Sequence, residues 1–315
     1  MATDLLRASL IDRDLVNDHE TTSQLLHHLS CLPLAIVQAA SYMNETEISV
    51  ATYVSLLQGQ ESVMVELLSQ DFEDEWRYAE IRNPIAATSL ISFHHIQTLN
   101  SLASDYLSFM SCIDPRDIPQ SLLPPDSSQV KQRNALGLLK AYSFTTGQAS
   151  DRIVSLHRLV HLATRNWLRN RGMLEQWMVN SGRRLRDVFP SAEHENRILW
   201  REYLPHALFI LQSNEFQRDT QDREDLIQKV ARCLHSDGRY HEAEALFKEV
   251  FEKKKNKMLN GEALDSMAWM ASIYRNQGRW AEAERLGVQV METTKAELGP
   301  EHPDTLTRMA NLAST

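Results

Sequence analysis

The sequence is poor in the residues that interrupt helices and in those that cross-link chains. Its 315 residues include 10 glycines, 10 prolines and 3 cysteines. Sparse glycine and proline, together with apolar residues that recur every three or four positions, predict a mainly helical fold. Cys31, Cys112 and Cys233 are odd in number and far apart, which argues against disulfides and favours a reducing compartment. We therefore expect three buried core thiols and a cytoplasmic protein.

Long apolar runs are also missing. No stretch approaches the roughly 20 apolar residues that a membrane-spanning helix needs, and the first ten residues lack the basic start and apolar run of a secretory signal. The net charge of -9 is unevenly distributed, because residues 1–84 are strongly acidic and residues 131–201 strongly basic. This contrast predicts either attraction between the two segments or a basic face for an anionic partner. Charge alone does not decide between these alternatives.

Motifs that indicate catalysis are absent from the sequence. It contains no Gly-x-x-x-x-Gly-Lys-Ser/Thr loop, no Gly-x-Ser-x-Gly elbow and no recognisable Ser/His/Asp or Cys/His arrangement. His157 and His161 have the spacing of a helical metal pair but lack further ligands, and their helix carries core leucines. Glu242 and Glu244 fall at repeat positions that are usually solvated. We expect no enzyme activity, no catalytic residues and no metal site.

A repeat fills the last third of the chain. The segment Ala263–Ser272 returns 42 residues later as Thr305–Ser314, and Gly238–Leu246 matches Gly278–Leu286 at an offset of 40. A period of this size, occupied by two amphipathic helices, is typical of a helical solenoid. We expect about two and a half such units over residues 223–315. Solenoids of this kind bind other molecules on a concave surface.

Helices are predicted through the first third of the chain. A short helix is expected over Thr21–Leu29, and Pro33 opens the next one because proline suits a first helical turn. One or two further helices are expected over Ser49–Leu68. The acidic run Asp71–Glu75 indicates a boundary, and two more helices are expected from Leu90 to Met110.

The central part of the chain has the order of a winged-helix domain. Ile118–Pro119 is expected to lie in a turn, followed by a helix over 129–141. Tyr142–Thr145 and Arg152–Leu156 predict a small hairpin, and a closing helix is expected over His157–Arg169. The predicted organisation is therefore a helical segment, a winged helix, a helical connector and the repeats, with bounds 1–84, 85–172, 173–222 and 223–315.

Several motifs carry a resemblance to known families. Gly278–Glu284 and Leu298–Pro303 resemble the tetratricopeptide repeats of kinesin light chains. Leu29–Ala40 resembles the Gly-Leu-Pro-Leu segment of NB-ARC ATPases, and Ser155–His161 resembles their Met-His-Asp segment. The whole order is similar to fungal NOD-like receptors of the NB-ARC plus tetratricopeptide class, beginning midway through that architecture. The resemblance implies that residues 1–84 are an ARC-like segment, and that the chain is a truncated member lacking the phosphate-binding half.

The resemblance to NB-ARC proteins implies two nucleotide contacts. Pro33 would lie against adenine, and His157 would reach the β-phosphate of ADP. The sequence departs from the family pattern at Cys31, where glycine is usual, and at Arg158, where aspartate is usual. The phosphates also need a glycine-rich loop with a lysine, which this sequence lacks. We therefore expect no ADP or ATP cofactor, and treat these contacts as vestigial.

The resemblance to tetratricopeptide repeats implies a groove that binds a protein or peptide. Its candidate residues are Tyr274, Arg275, Asn276 and Arg308. The last repeat stops after one helix, which leaves an apolar face formed by Leu306, Met309 and Leu312. This face predicts that the chain continues, pairs with another molecule as a homo-oligomer, or is a fragment.

The function expected from these observations is that of a non-enzymatic protein-interaction scaffold with a signalling or regulatory role. One alternative is an ADP/ATP-dependent switch whose phosphate-binding loop is supplied upstream or in trans. A further alternative is a winged-helix regulator that binds DNA through Lys131, Arg133 and Lys140. The negative net charge opposes general affinity for phosphate, and we expect neither nucleic acid nor a membrane as partner.

Overall fold

The chain forms two compact units. The computed structural model describes residues 1–68, 84–147, 152–218, 220–254 and 261–313; the predicted acidic boundary at Asp71–Glu75 lies outside them. The described residues are mainly α-helical, as predicted. The units are Met1–Ser181 and Gly182–Thr315, so the division falls within the segment expected to be a connector. Among the described helices, none combines the length and apolar character required to cross a bilayer.

The first unit is built from helices that begin where capping residues stand. Asp18 accepts hydrogen bonds from the amides of Glu20 and Thr21 at the start of the second helix, and Ser128 accepts one from Lys131. Such caps satisfy amides that have no partner within the helix. The helices are α1 Ala2–Ser9, α2 His19–His28, α3 Pro33–Thr46, α4 Val50–Leu68, α5 Pro84–Leu99, α6 Ser101–Met110, α7 Gln129–Ala141, α8 Arg158–Asn170 and α9 Leu174–Val188, of which α9 extends into the second unit.

The chain between α6 and α8 contains three short strands, which form a small sheet. Its strands are β1 Ile118–Pro119, β2 Thr145–Thr146 and β3 Ile153–Leu156, in the antiparallel order β1–β3–β2. The expected hairpin is present, but Ile118–Pro119 is an edge strand rather than a turn. Proline is tolerated there because an edge strand leaves one row of amides unpaired. Gly147 turns the hairpin at φ +115°, where a Cβ would come within 3.1 Å of the Ile153 carbonyl oxygen.

Aromatic rings fill much of the core of the first unit. Tyr42 packs against Tyr53 with ring centroids 5.4 Å apart, and Phe93 meets Trp167 edge to face at 4.4 Å. Nearby, the buried His161 of α8 donates from Nε2 to the Ile113 carbonyl oxygen at 3.0 Å. Helices α3, α5 and α8 are thereby held around one core.

The second unit is a stack of paired helices. After the end of α9 come α10 Arg197–Leu211, α11 Thr220–Ser236, α12 Tyr240–Lys254, α13 Gly261–Asn276, α14 Trp280–Leu298 and α15 Pro303–Ala313. Each helix from α10 onward packs against its successor. The end of α9 joins this stack, since Asp222 of α11 pairs with Arg183 and Arg186. Part of the expected connector therefore packs as part of the array.

Two glycines form the same turn in successive repeats. Gly238 has φ +78° and Gly278 has φ +76°, values that glycine adopts at little cost. The amide of Arg239 donates to the Leu234 carbonyl at 2.9 Å, and that of Arg279 donates to the Tyr274 carbonyl at 2.8 Å. This is the bond that closes a helix in the Schellman motif. Repetition of this turn confirms the predicted helical repeat.

Glu244 of α12 joins one repeat to the next. It accepts hydrogen bonds from Arg279 at 3.1 and 3.2 Å, from Gln277 at 3.2 Å and from Lys248 at 2.6 Å. The residue is 7% exposed, so the expectation that it is solvated was wrong. Burial opposes ionisation, but the hydrogen bonds from Lys248, Gln277 and Arg279 hold the pKa of Glu244 below its ordinary value. We call Glu244, Gln277, Arg279 and Lys248 the inter-repeat clasp.

Removing the carboxylate of the clasp should weaken the stack. Glu244→Gln is expected to lower the free energy of unfolding by about 1–2 kcal/mol, because Arg279 and Lys248 lose their charged acceptor. The matched control is Glu284→Gln, at the same position one repeat later, where the side chain is exposed. That change is expected to cost less than about 0.5 kcal/mol. Equal losses in urea unfolding of the two variants would contradict the role given to Glu244.

His161 should make the first unit sensitive to acid. Burial, with a smaller contribution from Arg165, lowers the pKa of His161 to about 4. An unfolded histidine titrates near 6.5, so the unfolded chain binds the proton first as the pH falls. The contribution of His161 to the free energy of unfolding is therefore fully present above about pH 6.5. It falls by roughly 3 kcal/mol as the pH is lowered towards 4.

The test of this prediction is His161→Gln, which retains an amide donor for the Ile113 carbonyl and removes the titration. Unfolding free energies measured between pH 4 and 7 should fall less steeply for this variant than for the wild type. Some slope should persist, because burial also lowers the pKa of His94 and His157. The control, His27→Gln at an exposed position of α2, should keep the wild-type slope. An unchanged slope in His161→Gln would refute the assignment.

Candidate functional site

The turn before α3 has a positive φ at Cys31, the position where the NB-ARC pattern has glycine. Cys31 has φ +53° and the preceding Ser30 has φ +49°, a region in which side-chain-bearing residues are strained. Cys31 is exposed, whereas Cys112 and Cys233 are buried. The expectation of a core thiol was therefore wrong for Cys31, because the tight turn leaves its side chain outside the core. Pro33 follows at the first position of α3 and is exposed.

His157 caps helix α8. Its Nδ1 accepts a hydrogen bond from the Leu159 amide at 3.2 Å, so the neutral ring carries its proton on Nε2. Its own amide donates to the Phe144 carbonyl at 3.2 Å. The ring is half-buried, and burial lowers its pKa. The side chain of His157 thus stabilises the start of α8 through Nδ1, and its Nε2–H is a hydrogen-bond donor.

The two candidate nucleotide contacts belong to elements that hydrogen bonds connect. The hydroxyls of Ser41, on α3, and Ser143 are 2.8 Å apart, and the next residue, Phe144, accepts the His157 amide. Pro33 stands eight residues before Ser41, which is about 12 Å along the helix axis. The structure therefore links α3 to the start of α8 through Ser143 and Phe144, and Pro33 lies at the N-terminal end of α3.

His157 and His161 have different partners. The first caps its helix through Nδ1, and the second binds the Ile113 carbonyl through Nε2. Within the described ranges, no group of three or more histidine, cysteine, aspartate or glutamate side chains has an arrangement suited to a metal ion.

The four candidate groove residues divide into two pairs. The ring of Tyr274 lies under the Arg279 guanidinium, 4.0 Å from its carbon, which places it beside the inter-repeat clasp. The amide nitrogen of Asn276 lies 3.0 Å from Nε2 of His235 on α11. Arg275 and Arg308 instead line a cavity. The structure thus brings Arg275 and Arg308 together, while Tyr274 and Asn276 join neighbouring helices.

The cavity lies between α13, α14 and α15 and has a volume of about 290 Å³. Its walls include the two arginines Arg275 and Arg308, the side chains of Trp269, Asn311 and Leu312, and the backbone of Gly287. Arg308 pairs with Asp265 of α13, which is not one of the lining residues, and this pair fixes the guanidinium of Arg308. No acidic residue is among the residues that line the cavity. Positive charge beside an aromatic and aliphatic wall suits an anionic ligand with an apolar part.

Sequence reasoning missed Trp269, Gly287 and Asn311 as cavity residues. A signal was present, because the repeats can be aligned with each other. Gly287 and Asn311 differ in size from the residues at the equivalent positions of the preceding repeat. A cavity in a solenoid can therefore be sought wherever a repeat departs from its neighbour.

The strain at Cys31 gives a test of the turn geometry. Cys31→Gly is expected to raise stability by about 0.5–1 kcal/mol, because a positive φ costs a side-chain-bearing residue roughly 1–2 kcal/mol and glycine little. Ser23→Gly, at an exposed interior position of α2, should instead lower stability by about 0.5–1 kcal/mol. Thermal unfolding of the two variants should show shifts of opposite sign. A shift of the same sign would contradict the described turn.

Comparison with known proteins supplies two findings. A family profile described as a tetratricopeptide repeat matches residues 264–304. The chain is 40% identical over 255 residues, or 80% of its length, to a nucleotide-binding leucine-rich repeat (NLR)-like protein of the fungus Hyaloscypha variabilis. That alignment covers 26% of the relative, so the chain spans about a quarter of the relative's length. No solved structure gives a significant match.

These findings agree with the motifs in the sequence. The order of segments along the chain, with the motifs Leu29–Ala40 and Ser155–His161, predicts the resemblance to fungal NOD-like receptors, and the last third predicts the tetratricopeptide resemblance. Both are confirmed by independent matches. The chain is therefore similar, over four fifths of its length, to a fungal NLR-like protein, and its C-terminal unit contains a tetratricopeptide repeat.

Proposed function

We propose that this chain is a non-enzymatic scaffold that binds a peptide segment of a partner protein along α11, α13 and α15. The observation that carries the proposal is the cavity beside α13, where Arg275 and Arg308 converge on an apolar wall. Tetratricopeptide repeats generally bind protein partners, and a fixed stack of helices presents such side chains with little loss of entropy on binding. We place this activity in the cytoplasm, because the cysteines favour a reducing compartment.

The rigidity of the stack supports this proposal. The clasp and the repeated glycine turns fix the spacing of α11, α13 and α15. His235 adds a further tie between α11 and α13, through Ser272 at 3.2 Å and Asn276 at 3.0 Å. A preformed surface of this kind does not have to order itself when a ligand arrives. A signalling or regulatory role would then follow from the partner that the scaffold holds.

We further propose that residues 85–172 form a winged-helix domain with a structural task. The order of α6, β1, α7, β2, β3 and α8 and the strand order β1–β3–β2 support it. Helix α7 buries Ala135, Leu136 and Leu139 and exposes Lys131 and Arg133. Because the net charge is -9, we do not propose DNA as the partner of this exposed face.

A nucleotide-dependent switch is the second candidate function. Its support is the Nε2–H of His157, which remains available as a donor, and the positive φ at Cys31 in the position where the NB-ARC pattern has glycine. The name of the fungal relative includes the words nucleotide-binding. This function needs a phosphate-binding loop that the sequence of this chain does not supply. ADP should therefore leave the unfolding temperature of the isolated chain unchanged, and a rise at millimolar ADP would favour the switch.

The test of the scaffold function uses a phage-displayed peptide library, selected on the purified chain. Selected peptides are then synthesised with a fluorophore, and their Kd is measured by anisotropy. Arg275→Ala and Arg308→Ala are expected to weaken binding at least tenfold, about 1.4 kcal/mol. The matched control is Arg285→Ala, at an exposed position of α14 outside the cavity, which should leave Kd unchanged. Failure to select any peptide, or equal Kd values for all four proteins, would refute the proposal.

A further inference from the structure

Polar side chains line the contact between α3 and α5 in the core of the first unit. Gln38 of α3 and three hydroxyl-bearing residues of α5, Thr88, Ser89 and Ser92, are each at most 3% exposed. The hydroxyls of Thr88 and Ser89 both reach Gln38. Ser92 stands four and three positions after them, so the helical repeat places it on the same face of α5. A buried set of this kind has to satisfy its hydrogen bonds within the core.

Protein hydrogen bonds satisfy only part of this set. Oε1 of Gln38 accepts from Oγ1 of Thr88 at 2.7 Å and from Oγ of Ser89 at 3.3 Å. The other half of the amide, Nε2, carries two N–H donors, and it finds no acceptor among the residues that the structure describes. Oγ of Ser92 likewise has no partner within the described ranges. The donors that stand ready at this contact are therefore one amide nitrogen and one hydroxyl.

The chemistry of these donors limits what can satisfy them. The four side chains are neutral, and a buried anion needs a charged partner to offset its desolvation, so an ion does not suit the contact. Both groups are fully buried, which leaves room only for a very small molecule. A neutral acceptor of that size is water, which makes about three hydrogen bonds at buried sites of this kind.

The next turn of α3 has the same character. Tyr42 follows Gln38 by four positions, and its ring centroid lies 5.4 Å from that of Tyr53 and 6.0 Å from that of Tyr142. The hydroxyls of Tyr53 and Tyr142 are buried and have no partner in the described part of the chain. Burial raises the pKa of both, so both remain protonated donors. Donors without protein acceptors thus recur along this side of α3.

We propose that the contact between α3 and α5 is a binding site for an ordered water molecule, which accepts a hydrogen bond from Nε2 of Gln38 and bonds to the hydroxyl of Ser92. The inference is independent of the proposed scaffold function. The water completes a chain of hydrogen bonds that runs from Ser92 through the Gln38 amide to Thr88 and Ser89. It thereby ties α3 to α5 where their contact is polar, and it is a structural part of the first unit.

The direct test detects the water by nuclear magnetic resonance in the full chain, with glutamine labelled with nitrogen-15. The side-chain amide protons of Gln38 are identified by their loss in Gln38→Met, and are expected to show an Overhauser cross-peak to a long-lived water. Laboratory-frame and rotating-frame spectra together separate this contact from chemical exchange. The matched control is the amide of Gln97, which is exposed on the same helix α5 and should show no long-lived water. A Gln38 amide without such a cross-peak would overturn the proposal.

A substitution at Ser92 gives a second readout whose sign is decisive. Ser92→Ala removes one partner of the water, and should lower the unfolding temperature by roughly 2–4 °C relative to Ser23→Ala and weaken the cross-peak at Gln38. The control Ser23→Ala, at an exposed position of α2, carries the same gain in helix propensity. A hydroxyl with no partner in solution would behave in the opposite way, because its removal relieves a buried polar group. A higher unfolding temperature for Ser92→Ala, or equal values for the two variants, would overturn the proposal.

Discussion

The positive φ of Gly238 and Gly278 is the constraint on which the second unit depends. Each glycine closes one helix and lets the chain return in the next, and each is followed by an arginine whose amide completes the turn. The side chain of each arginine then forms ion pairs. Arg239 pairs with Glu242, and Arg279 pairs with both Glu282 and Glu244. The Gly-Arg pair therefore sets the helix end and the direction of the next helix, and at Arg279 it also supplies the link between repeats.

The two units use polar groups for the same purpose in different surroundings. In the first, Gln38 of α3 accepts a hydrogen bond from the Thr88 hydroxyl of α5 at 2.7 Å within the core. In the second, the buried Arg223 reaches Glu249 and the Leu211 carbonyl at 2.7 Å. Buried polar groups of this kind are costly when unpaired, so each pair fixes one arrangement of its helices.

Local signals in the sequence predicted most of the architecture. The helix expected over 129–141 has those same bounds in the structure, and the next helix was predicted to begin at Pro33 because proline suits a first helical turn. The strand at Ile118–Pro119 was missed because two residues carry no periodicity, and because its partner strand β3 comes much later in the chain, with Ile118 opposite Val154 and Pro119 opposite Ile153. The burial of Glu244 was missed for a related reason. Its partner Arg279 comes from the next repeat, and a pattern within one helix does not report a contact across an interface.

Gly287 stands at the cavity in the position that Phe247 holds one repeat earlier, where the ring of Phe247 stacks on that of Trp269. Each repeat touches only its neighbours, so a loss of packing at one junction is not transmitted along the whole stack. In a globular core, exchanging phenylalanine for glycine would endanger the entire fold. In a stack of repeats, the cost of looser packing stays at the junction where it occurs. Neighbouring junctions of one array can therefore differ in how tightly they are packed, while the other junctions keep their own stability.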